Sequence, residues 1–350
     1  MKNRIFFYFL LIISLLISCS KENEPSGCNI NGFWVGYWKS ALLDSGSFVS
    51  SVTQQSNDFN GNVYVNSYTN GDYANEYSGT VKNKEVNSTI NFEGVKIMVN
   101  GNIQDDSIVV GNFKVPYLNM NGVFNGKKIS NVTPQIKTIY HLTSSSLGES
   151  LDGLLYIGDH LWILTYPYEY INQIAKVKVI ITDLNGNVTG QTYFPYTGGF
   201  MTSDGEYVWS FFNGTTLTKY DTIGNKLNTI TISALAFLKY FAIIGSNLYF
   251  TDGNKFYKTN QSAKVLETLK VEYIGSAYSF TNYKDHFLVW FGKGLFEFST
   301  TGKLITAYKL TLEDGSYVSS MVTKNNKVWC LIENYGNLGS PNFSIIELDL

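Results

Sequence analysis

Cys19 is the residue whose position most directly indicates a chemical event. It follows a segment in which Lys2 and Arg4 supply two positive charges and residues 5–17 form a nearly all-apolar run. A charged start followed by a short apolar core is typical of a secretory signal. The run is shorter than the roughly 20 apolar residues that span a bilayer. The sequence therefore predicts that residues 1–18 direct export, with the thiol of Cys19 at their boundary.

The residues that end at Cys19 resemble the lipobox of bacterial lipoproteins. Leu16, Ile17 and Ser18 precede the cysteine, which matches an aliphatic residue followed by two small or aliphatic ones. The resemblance implies a lipoprotein signal peptide over residues 1–18 and alkylation of the sulfur by a diacylglycerol. It also implies lasting membrane attachment through several acyl chains, because one chain holds only weakly. The alternative is an ordinary cleaved signal with an incidental cysteine.

The residues after Cys19 predict a flexible tether and indicate where in the cell envelope the protein is located. Residues 19–27 are small and polar, which is typical of a flexible linker. Glu22 and Glu24 also resemble the acidic signal that sends some Gram-negative lipoproteins to the cell exterior. We expect a protein anchored to the outer membrane by lipid, on either the periplasmic or the surface side.

The charge balance disfavours several classes of partner. Once Lys2 and Arg4 leave with the signal, the 26 basic residues fall to 24 against 28 acidic ones, a net charge of −4. A nucleic-acid partner would require a basic face. Arg4 is the single arginine of the sequence, and arginine is the usual tool for bidentate capture of phosphate. We therefore expect no nucleic acid and no nucleotide as partners.

The remaining reactive side chains predict no catalytic centre. The three histidines are widely separated and give no metal-ligand spacing, and we find no catalytic or cofactor motif. We therefore predict no catalytic residue, no metal and no cofactor. An oxidising compartment would allow Cys28 and Cys330 to pair. However, Cys330 lies in an apolar strand-like run and Cys28 beside the tether, so their pairing stays open.

The elements that position these residues are predicted to be β-strands throughout. Short alternating apolar runs are separated by Asn-Gly, Asp-Gly and Gly-Asn pairs, a pattern typical of an all-β fold. Residues 28–130 contain about eight such runs, enough to close into a small antiparallel β-barrel without exposed edges. A small sandwich is the alternative. The Gly32-x-Trp34 opening resembles lipocalin-like and avidin-like barrels, which carry small apolar ligands, but the short connections do not predict a deep cavity.

After a linker at residues 131–135, residues 136–350 are repetitive. Apolar strand positions recur 40 residues apart. A turn position recurs at spacings of 38, 39 and 39 residues, within segments such as Lys219-Tyr220-Asp221-Thr222-Ile223-Gly224, and it is occupied by Gly186, Gly224, Ala263 and Gly302. A period near 40 residues with four short strands per repeat is typical of a β-propeller. The sequence pattern of these repeats resembles that of NHL-type and PQQ-type propellers. The apolar positions are Val208, Leu248, Leu288 and Val328, with Leu161 opening the same strand in the first unit.

Ring closure is also predicted from the sequence. We count five units, and the last one stops where its outermost strand should follow. The strand at residues 136–143 matches residues 304–311, with Tyr, Leu and Thr in register. It would therefore complete the last blade and give a closed five-bladed propeller.

Two loops stand out on the face where propellers usually bind ligands. Residues 167–173 and 334–342 make the second-to-third-strand connections of units one and five longer than those of the other units. These units are neighbours in a closed ring, and loops beyond the minimum length often carry function. Tyrosine offers a stacking face and a hydrogen-bonding tip. The predicted binding residues are Tyr166, Tyr168, Tyr170, Tyr335 and Asn337.

Three functions are compatible with these features. The first is a lipid-anchored, non-enzymatic module that binds a glycan or a protein through the propeller face. The second is a glycoside hydrolase, as some five-bladed propellers are, which requires a carboxylate pair. Asp152 is the single acidic residue of the predicted inner strands. The third is a structural subunit of an outer-membrane assembly with no small ligand.

Overall fold

A computed structural model gives the fold as two β units. The described residues up to Val132 form one compact unit, and those from Thr133 onwards form the other. The structure describes residues 28–42, 44–67, 71–92, 94–105, 107–129, 131–143, 150–166, 169–171, 174–195, 200–212, 216–232, 240–251, 255–262, 264–269, 271, 279–291, 294–310, 312–313, 316–334 and 342–350. Cys19 and the export segment lie outside the described residues.

The first unit is a closed barrel, which decides between the two predicted architectures. Each strand pairs antiparallel with the next, and β8 pairs back onto β1. A short 3₁₀ helix, Pro116–Leu118, joins β7 to β8. The strands are β1 (Gly32–Ser40), β2 (Ser45–Gln55), β3 (Asp58–Ser67), β4 (Gly71–Lys82), β5 (Glu85–Phe92), β6 (Val95–Gln104), β7 (Ile108–Val115) and β8 (Met120–Ile129).

Aromatic rings packed against glycines fill the described interior of this barrel. The ring of Phe48 lies where a side chain on Gly36 would be, and the ring of Phe113 occupies the same kind of space beside Gly122. All these rings belong to one buried core that also contains Trp34. A small barrel has room for such rings because the facing residue has no Cβ. The interior is therefore a packed core, which agrees with the short connections that gave no reason to expect a deep cavity.

The second unit is a five-bladed propeller, as predicted. The two-residue strand β9 (Asn131–Val132) precedes it, and five sheets follow. Its strands are β10 (Gln135–Thr143), β11 (Ser150–Ile157), β12 (His160–Tyr166), β13 (Glu169–Ile171), β14 (Ile174–Thr182), β15 (Val188–Pro195), β16 (Phe200–Ser203), β17 (Val208–Phe212), β18 (Thr216–Tyr220), β19 (Lys226–Thr231), β20 (Tyr240–Ile244), β21 (Asn247–Thr251), β22 (Phe256–Asn260), β23 (Val265–Leu269), β24 (Ser279–Tyr283), β25 (His286–Phe291), β26 (Gly294–Phe298), β27 (Leu304–Lys309), β28 (Ser316–Lys324), β29 (Lys327–Asn334) and β30 (Asn342–Asp349).

The ring closes through the strand predicted to close it. β10 pairs antiparallel with β30, with Ile136 opposite Leu348 and Leu142 opposite Phe343. Blade 5 therefore runs β28, β29, β30 and β10 from the inside outwards. The inner strands β11, β16, β20, β24 and β28 contact one another in that order, and β28 returns to β11. The five strands surround a central channel, and both ends of the repeat array are paired.

The repeated apolar positions form the cores of the blades. Each one lies at or near the start of the second strand of its blade and is almost completely buried. The 40-residue period therefore reflects one buried anchor per blade, which must pack against the neighbouring blade. These anchors are Leu161, Val208, Leu248, Leu288 and Val328.

Side-chain hydroxyls connect neighbouring inner strands. The Ser203 hydroxyl donates to the backbone carbonyl of Tyr156 at 2.7 Å and accepts from the Tyr156 N–H at 3.0 Å. The Thr323 hydroxyl donates to the carbonyl of Asn282 at 2.5 Å. Each such bond contributes about 1 kcal/mol net. The hydroxyls help to fix the positions of the strands that line the channel.

The repeated Asp-x-x-Gly motif forms the turn between the third and fourth strands of a blade. Asp183 Oδ1 accepts the backbone N–H of Asn187 at 2.9 Å, and Gly186 has a φ of +87°. Asp221 accepts the backbone N–H of Asn225 at 2.7 Å in the same way. Hydrogen bonds from Asn187 hold the pKa of the Asp183 carboxyl below its usual value. These aspartates therefore stabilise the turns in which they lie.

The two cysteines downstream of Cys19 occupy separate cores. Cys28 packs in the barrel core and Cys330 in a core shared by blades 4 and 5, and no bond joins them. Burial raises the pKa of the Cys330 thiol. No helix in the described part of the chain is long and apolar enough to cross a membrane.

Candidate functional site

One end of the channel combines carboxylates, aromatic rings and hydroxyls. We call it the upper mouth, because the inner strands begin there, on the face predicted to bind ligands. A cavity of about 240 Å³ opens at this end. Each inner strand contributes to its wall. The lining residues include Asp152, Phe200, Tyr240, Ser319 and Ser320.

A β-bulge directs Asp152 toward the cavity. In the pairing of β11 with β12, Leu151 lies opposite Thr165 and Gly153 lies opposite Leu164, so Asp152 is the extra residue. Bulges of this kind redirect a side chain and are frequent beside functional sites. β28 contains a second bulge between Val318 and Ser320, close to the same cavity. Two of the five inner strands therefore depart from regular pairing at the upper mouth.

Asp152 is exposed at the cavity but has protein on most sides. The side chain counts as exposed, yet desolvation by the surrounding protein raises the pKa of its carboxyl. The negative charge of Glu333 raises that pKa further. Both effects disfavour the ionised form, because the charge is poorly hydrated and has a like charge nearby. The Asp152 carboxyl therefore keeps a proton more readily than an exposed aspartate would.

Glu333 is held in place by a tyrosine of the neighbouring strand. Tyr317 on β28 lies directly opposite Glu333 on β29, and its hydroxyl donates to Glu333 Oε2 at 2.6 Å. Only 8% of Glu333 is exposed. Asp152 and Glu333 therefore sit in different environments: Asp152 faces the cavity, whereas Glu333 is buried and accepts a hydrogen bond from Tyr317.

Two aromatic rings form another part of the wall. Phe200, at the start of β16, and Tyr240, at the start of β20, have ring centroids 4.6 Å apart at an interplanar angle of 48°. Phe200 is 47% exposed, which is unusual for a phenylalanine and leaves one face available. Burial raises the pKa of the Tyr240 hydroxyl, and the charge of Glu333 adds to that shift. Tyr240 therefore remains a neutral hydrogen-bond donor.

The structure describes part of the predicted tyrosine patch. Tyr166 ends β12 on the same face as the upper mouth, opposite Ser150, and is 48% exposed. Tyr170 lies in the short strand β13, which pairs with β14. Tyr168, Tyr335 and Asn337 lie outside the described residues. Whether these tyrosines form one surface stays a prediction.

Four residues of the upper mouth were not among the predicted site residues: Tyr317, Glu333, Phe200 and Tyr240. The predicted acid was one of the inner strands, whereas Glu333 belongs to the second strand of blade 5. A signal for it did exist, because Glu333 directly follows five consecutive apolar residues of β29 and is buried with them. Phe200 and Tyr240 both begin inner strands, and a search for aromatic residues at those positions would have found them.

His286 belongs to a separate buried cluster in blade 4. Its Nδ1 lies 2.6 Å from Glu297 Oε1, and the Tyr308 hydroxyl donates to Glu297 Oε2 at 2.6 Å. Glu297 and Tyr308 are each 6% exposed. These bonds satisfy a buried carboxylate within the blade and give this histidine a structural role.

The upper mouth is suited to recognition by hydrogen bonding and stacking. None of the described residues that line its cavity is basic. Among the described residues, no three His, Cys, Asp or Glu side chains come together as metal ligands would. The groups that line the cavity are the Asp152 carboxyl, a neutral phenol, serine hydroxyls and an exposed aromatic ring, with the buried carboxyl of Glu333 nearby. Such a set suits a ligand rich in hydroxyl or amine donors that also presents a face for stacking.

No family model matches this sequence, and no curated protein matches it. Among solved structures, the chain is similar to glutaminyl cyclase of Myxococcus xanthus, with a TM-score of 0.41, 11% identity, and coverage of 63% of this chain and 99% of that one. A Bacteroides caccae protein of unknown function gives a TM-score of 0.35 at 11% identity, over 83% of this chain and 98% of that one. BamB from Moraxella catarrhalis gives 0.31 at 8% identity, over 86% and 81% respectively. Similarities this weak carry no information about function.

Proposed function

We propose that this chain is an exported lipoprotein, anchored to the outer membrane through Cys19, whose propeller binds a glycan or a protein without chemical turnover. The anchoring rests on the charged, apolar and lipobox-like order of residues 1–19. The binding rests on one observation: Asp152 and Phe200, from two different blades, line a single channel mouth, and Glu333 of a third blade is close enough to Asp152 for its charge to raise the Asp152 pKa.

A glycan suits this mouth on chemical grounds. Carboxylates accept hydrogen bonds from sugar hydroxyls, and an exposed ring such as Phe200 can stack on the apolar face of a sugar. The exposed ring of Tyr166 on the same face would extend the contact beyond the cavity. A protein ligand would use the same groups through amine or amide donors.

The binding proposal predicts a loss of affinity in two variants. Phe200→Ala removes the stacking face, and Glu333→Gln removes the charge while keeping the shape. Each should weaken the binding of glycans on an array about tenfold or more, since buried aromatic and charged contacts often carry more than about 1.4 kcal/mol. The measurement is the apparent Kd for each glycan that the wild-type protein retains.

A matched control is available in the barrel. Tyr117 is 72% exposed and lies in the 3₁₀ helix of the first unit, so Tyr117→Ala removes an exposed ring that does not belong to the propeller unit. If Phe200→Ala, Glu333→Gln and Tyr117→Ala all bind as the wild type does, the upper mouth is not the binding site. The same set applied to Tyr168, Tyr170 and Tyr335 tests the loop patch separately.

Glycoside hydrolysis is the second candidate, and one observation favours it. The mouth brings Asp152, whose carboxyl has a raised pKa, near Glu333, which accepts a hydrogen bond from Tyr317. Glycosidases use a pair of carboxyl groups in which one acts as the acid and the other as the base or nucleophile. In this reading Asp152 would protonate the leaving oxygen, and Glu333 would act as the base or nucleophile.

Hydrolysis is tested with Asp152→Asn. If the wild-type chain releases reducing ends from an oligosaccharide that it binds, this variant should lower kcat at least a hundredfold while leaving the substrate affinity within a few-fold. Unchanged turnover in Asp152→Asn, or no turnover of any bound glycan by the wild type, excludes the enzyme.

A further inference from the structure

The other end of the channel holds a second cavity of different character. We call it the lower mouth, because the inner strands end there and turn into the second strand of each blade. Its volume is about 320 Å³, within the range of cavities that hold small ligands. Its wall consists mainly of hydroxyl, amide and ammonium groups. The amide and ammonium groups belong to Asn282, Lys284, Lys324, Asn325 and Asn326.

Neighbouring blades bring two lysines to this rim. Lys284 follows β24 and Lys324 ends β28, and the hydrogen bond from Thr323 to Asn282 fixes these strands side by side. The Lys284 ammonium lies 4.4 Å from the ring centroid of Tyr283, and the Lys324 ammonium lies 5.3 Å from that of Tyr156. Contact with an aromatic face attracts a cation but does not neutralise it.

Neither ammonium has a carboxylate partner among the described residues. The ion pairs between described residues include His286 with Glu297 and Lys327 with Glu347, and neither involves Lys284 or Lys324. Asp204, which also lines the cavity, accepts the indole N–H of Trp209 at 2.8 Å and the backbone N–H of Tyr207 at 2.7 Å. Its charge is therefore already engaged in its own turn, and the lining carries two lysines against this one acid.

Amide groups supply further donors and acceptors at the same rim. Asn325 and Asn326 form the left-handed turn after Lys324, with φ angles of +50° and +66°. Asn282, Asn325 and Asn326 line the cavity, and their side chains are not tied into a network within the described chain. Two unneutralised cations beside amides that point to the same space are suited to an anion that also carries hydroxyl groups.

We propose that the lower mouth is a binding site for a small organic acid of the sugar-acid type, with Lys284 and Lys324 binding its carboxylate. The amides of Asn282, Asn325 and Asn326 then bind its hydroxyls. A lysine ammonium is a compact point charge that contacts a single carboxylate without the bidentate fork that arginine would give to phosphate. The channel thus has an acidic mouth at one end and a basic mouth at the other, with separate ligands. This site does not depend on what the upper mouth binds.

The test is calorimetric titration of the full mature chain with galacturonate. Galactose, acetate and inorganic phosphate are titrated in parallel. Galacturonate should bind, and the neutral galactose should bind at least tenfold more weakly. Raising the salt concentration should weaken galacturonate binding, because screening acts on the ammonium–carboxylate attraction. Lys284→Gln and Lys324→Gln should each weaken it about tenfold, the usual effect of losing one charge-assisted hydrogen bond.

Lys219→Gln is the matched control. The Lys219 ammonium also lies over aromatic rings, 3.5 Å from the centroid of Tyr207, but it is not part of the lower mouth. This variant should bind galacturonate as the wild type does.

Several results would overturn the proposal. They are equal binding of galactose and galacturonate, tighter binding of phosphate or acetate than of galacturonate, and an equal loss in Lys219→Gln. The absence of any galacturonate binding by the wild-type chain would do the same. None of these results bears on the upper mouth, because Phe200→Ala and Glu333→Gln test that site separately.

Discussion

A Cys19→Ala variant should lose its lipid completely, and the exported chain should move from the membrane fraction to the soluble fraction. The physical reason is the size of the anchoring energy. Each buried methylene contributes about 0.8 kcal/mol, and several acyl chains together make attachment effectively irreversible. Removal of the sulfur removes every chain at once. The measurement is the distribution of the protein between fractions, together with incorporation of labelled palmitate.

The export segment requires a second variant. If processing needs the lipidated cysteine, Cys19→Ala leaves residues 1–18 attached, and their apolar run would itself hold the chain at a membrane. A chain in which residues 1–19 are replaced by an ordinary cleavable secretory signal avoids this. It should be exported, soluble and folded. Recovery of this second variant in the membrane fraction would contradict anchoring through Cys19, and labelled palmitate in Cys19→Ala would contradict lipidation at that residue.

The sequence predicted the fold well because its signals are periodic and local. Val208, Leu248, Leu288 and Val328 repeat every 40 residues because each blade needs one buried anchor at the same place. The closing strand was predictable because β10 must carry the side-chain pattern of a fourth strand to complete blade 5. Both inferences need only the period and the alternation, which the chain displays directly.

The candidate site was less predictable because it depends on departures from regularity. Alternation alone cannot show that Asp152 is an extra residue between Leu151 and Gly153, since a bulge is defined by the partner strand. Glu333 was not predicted because the strands of a blade are buried on both faces, so no alternation of apolar and polar residues marks an acid near the end of β29. The proximity of Asp152 and Glu333 depends on how blades 1 and 5 pack together. That packing follows from ring closure and cannot be inferred from the sequence of either blade alone.

The packing of the barrel core was also difficult to predict, although its residue types are conspicuous in the sequence. Composition shows many aromatic residues and 31 glycines, but it does not show that a ring such as Phe48 fills the space beside Gly36. That match depends on the register of two strands. Because a ring fills the space beside the glycine, replacing certain glycines even by alanine should destabilise the barrel.

A Gly36→Ala variant should destabilise the barrel by about 3 kcal/mol, the upper part of the usual range for overpacking a core. A Cβ on Gly36 would lie within 3.0 Å of the backbone oxygen of Asn125 and of the Phe48 ring. The oxygen belongs to a ladder strand and cannot move without breaking the β1–β8 pairing. Hydrogen exchange followed by mass spectrometry should show faster exchange in peptides of β1, β2 and β8, on the order of a hundredfold.

Two other glycines calibrate this effect within the same chain. A Cβ on Gly101 would meet Val109 Cγ2 at 3.1 Å and Phe124 Cζ at 3.2 Å, distances that small side-chain shifts relieve. Gly101→Ala should therefore cost about 1 kcal/mol. Gly190 in β15 has nothing within 4 Å of its Cβ position, so Gly190→Ala should leave stability unchanged or raise it slightly. Equal exchange rates in all three variants would mean that the rings move aside freely. The interior would then be loosely packed, and a ligand cavity in the barrel would become the better interpretation.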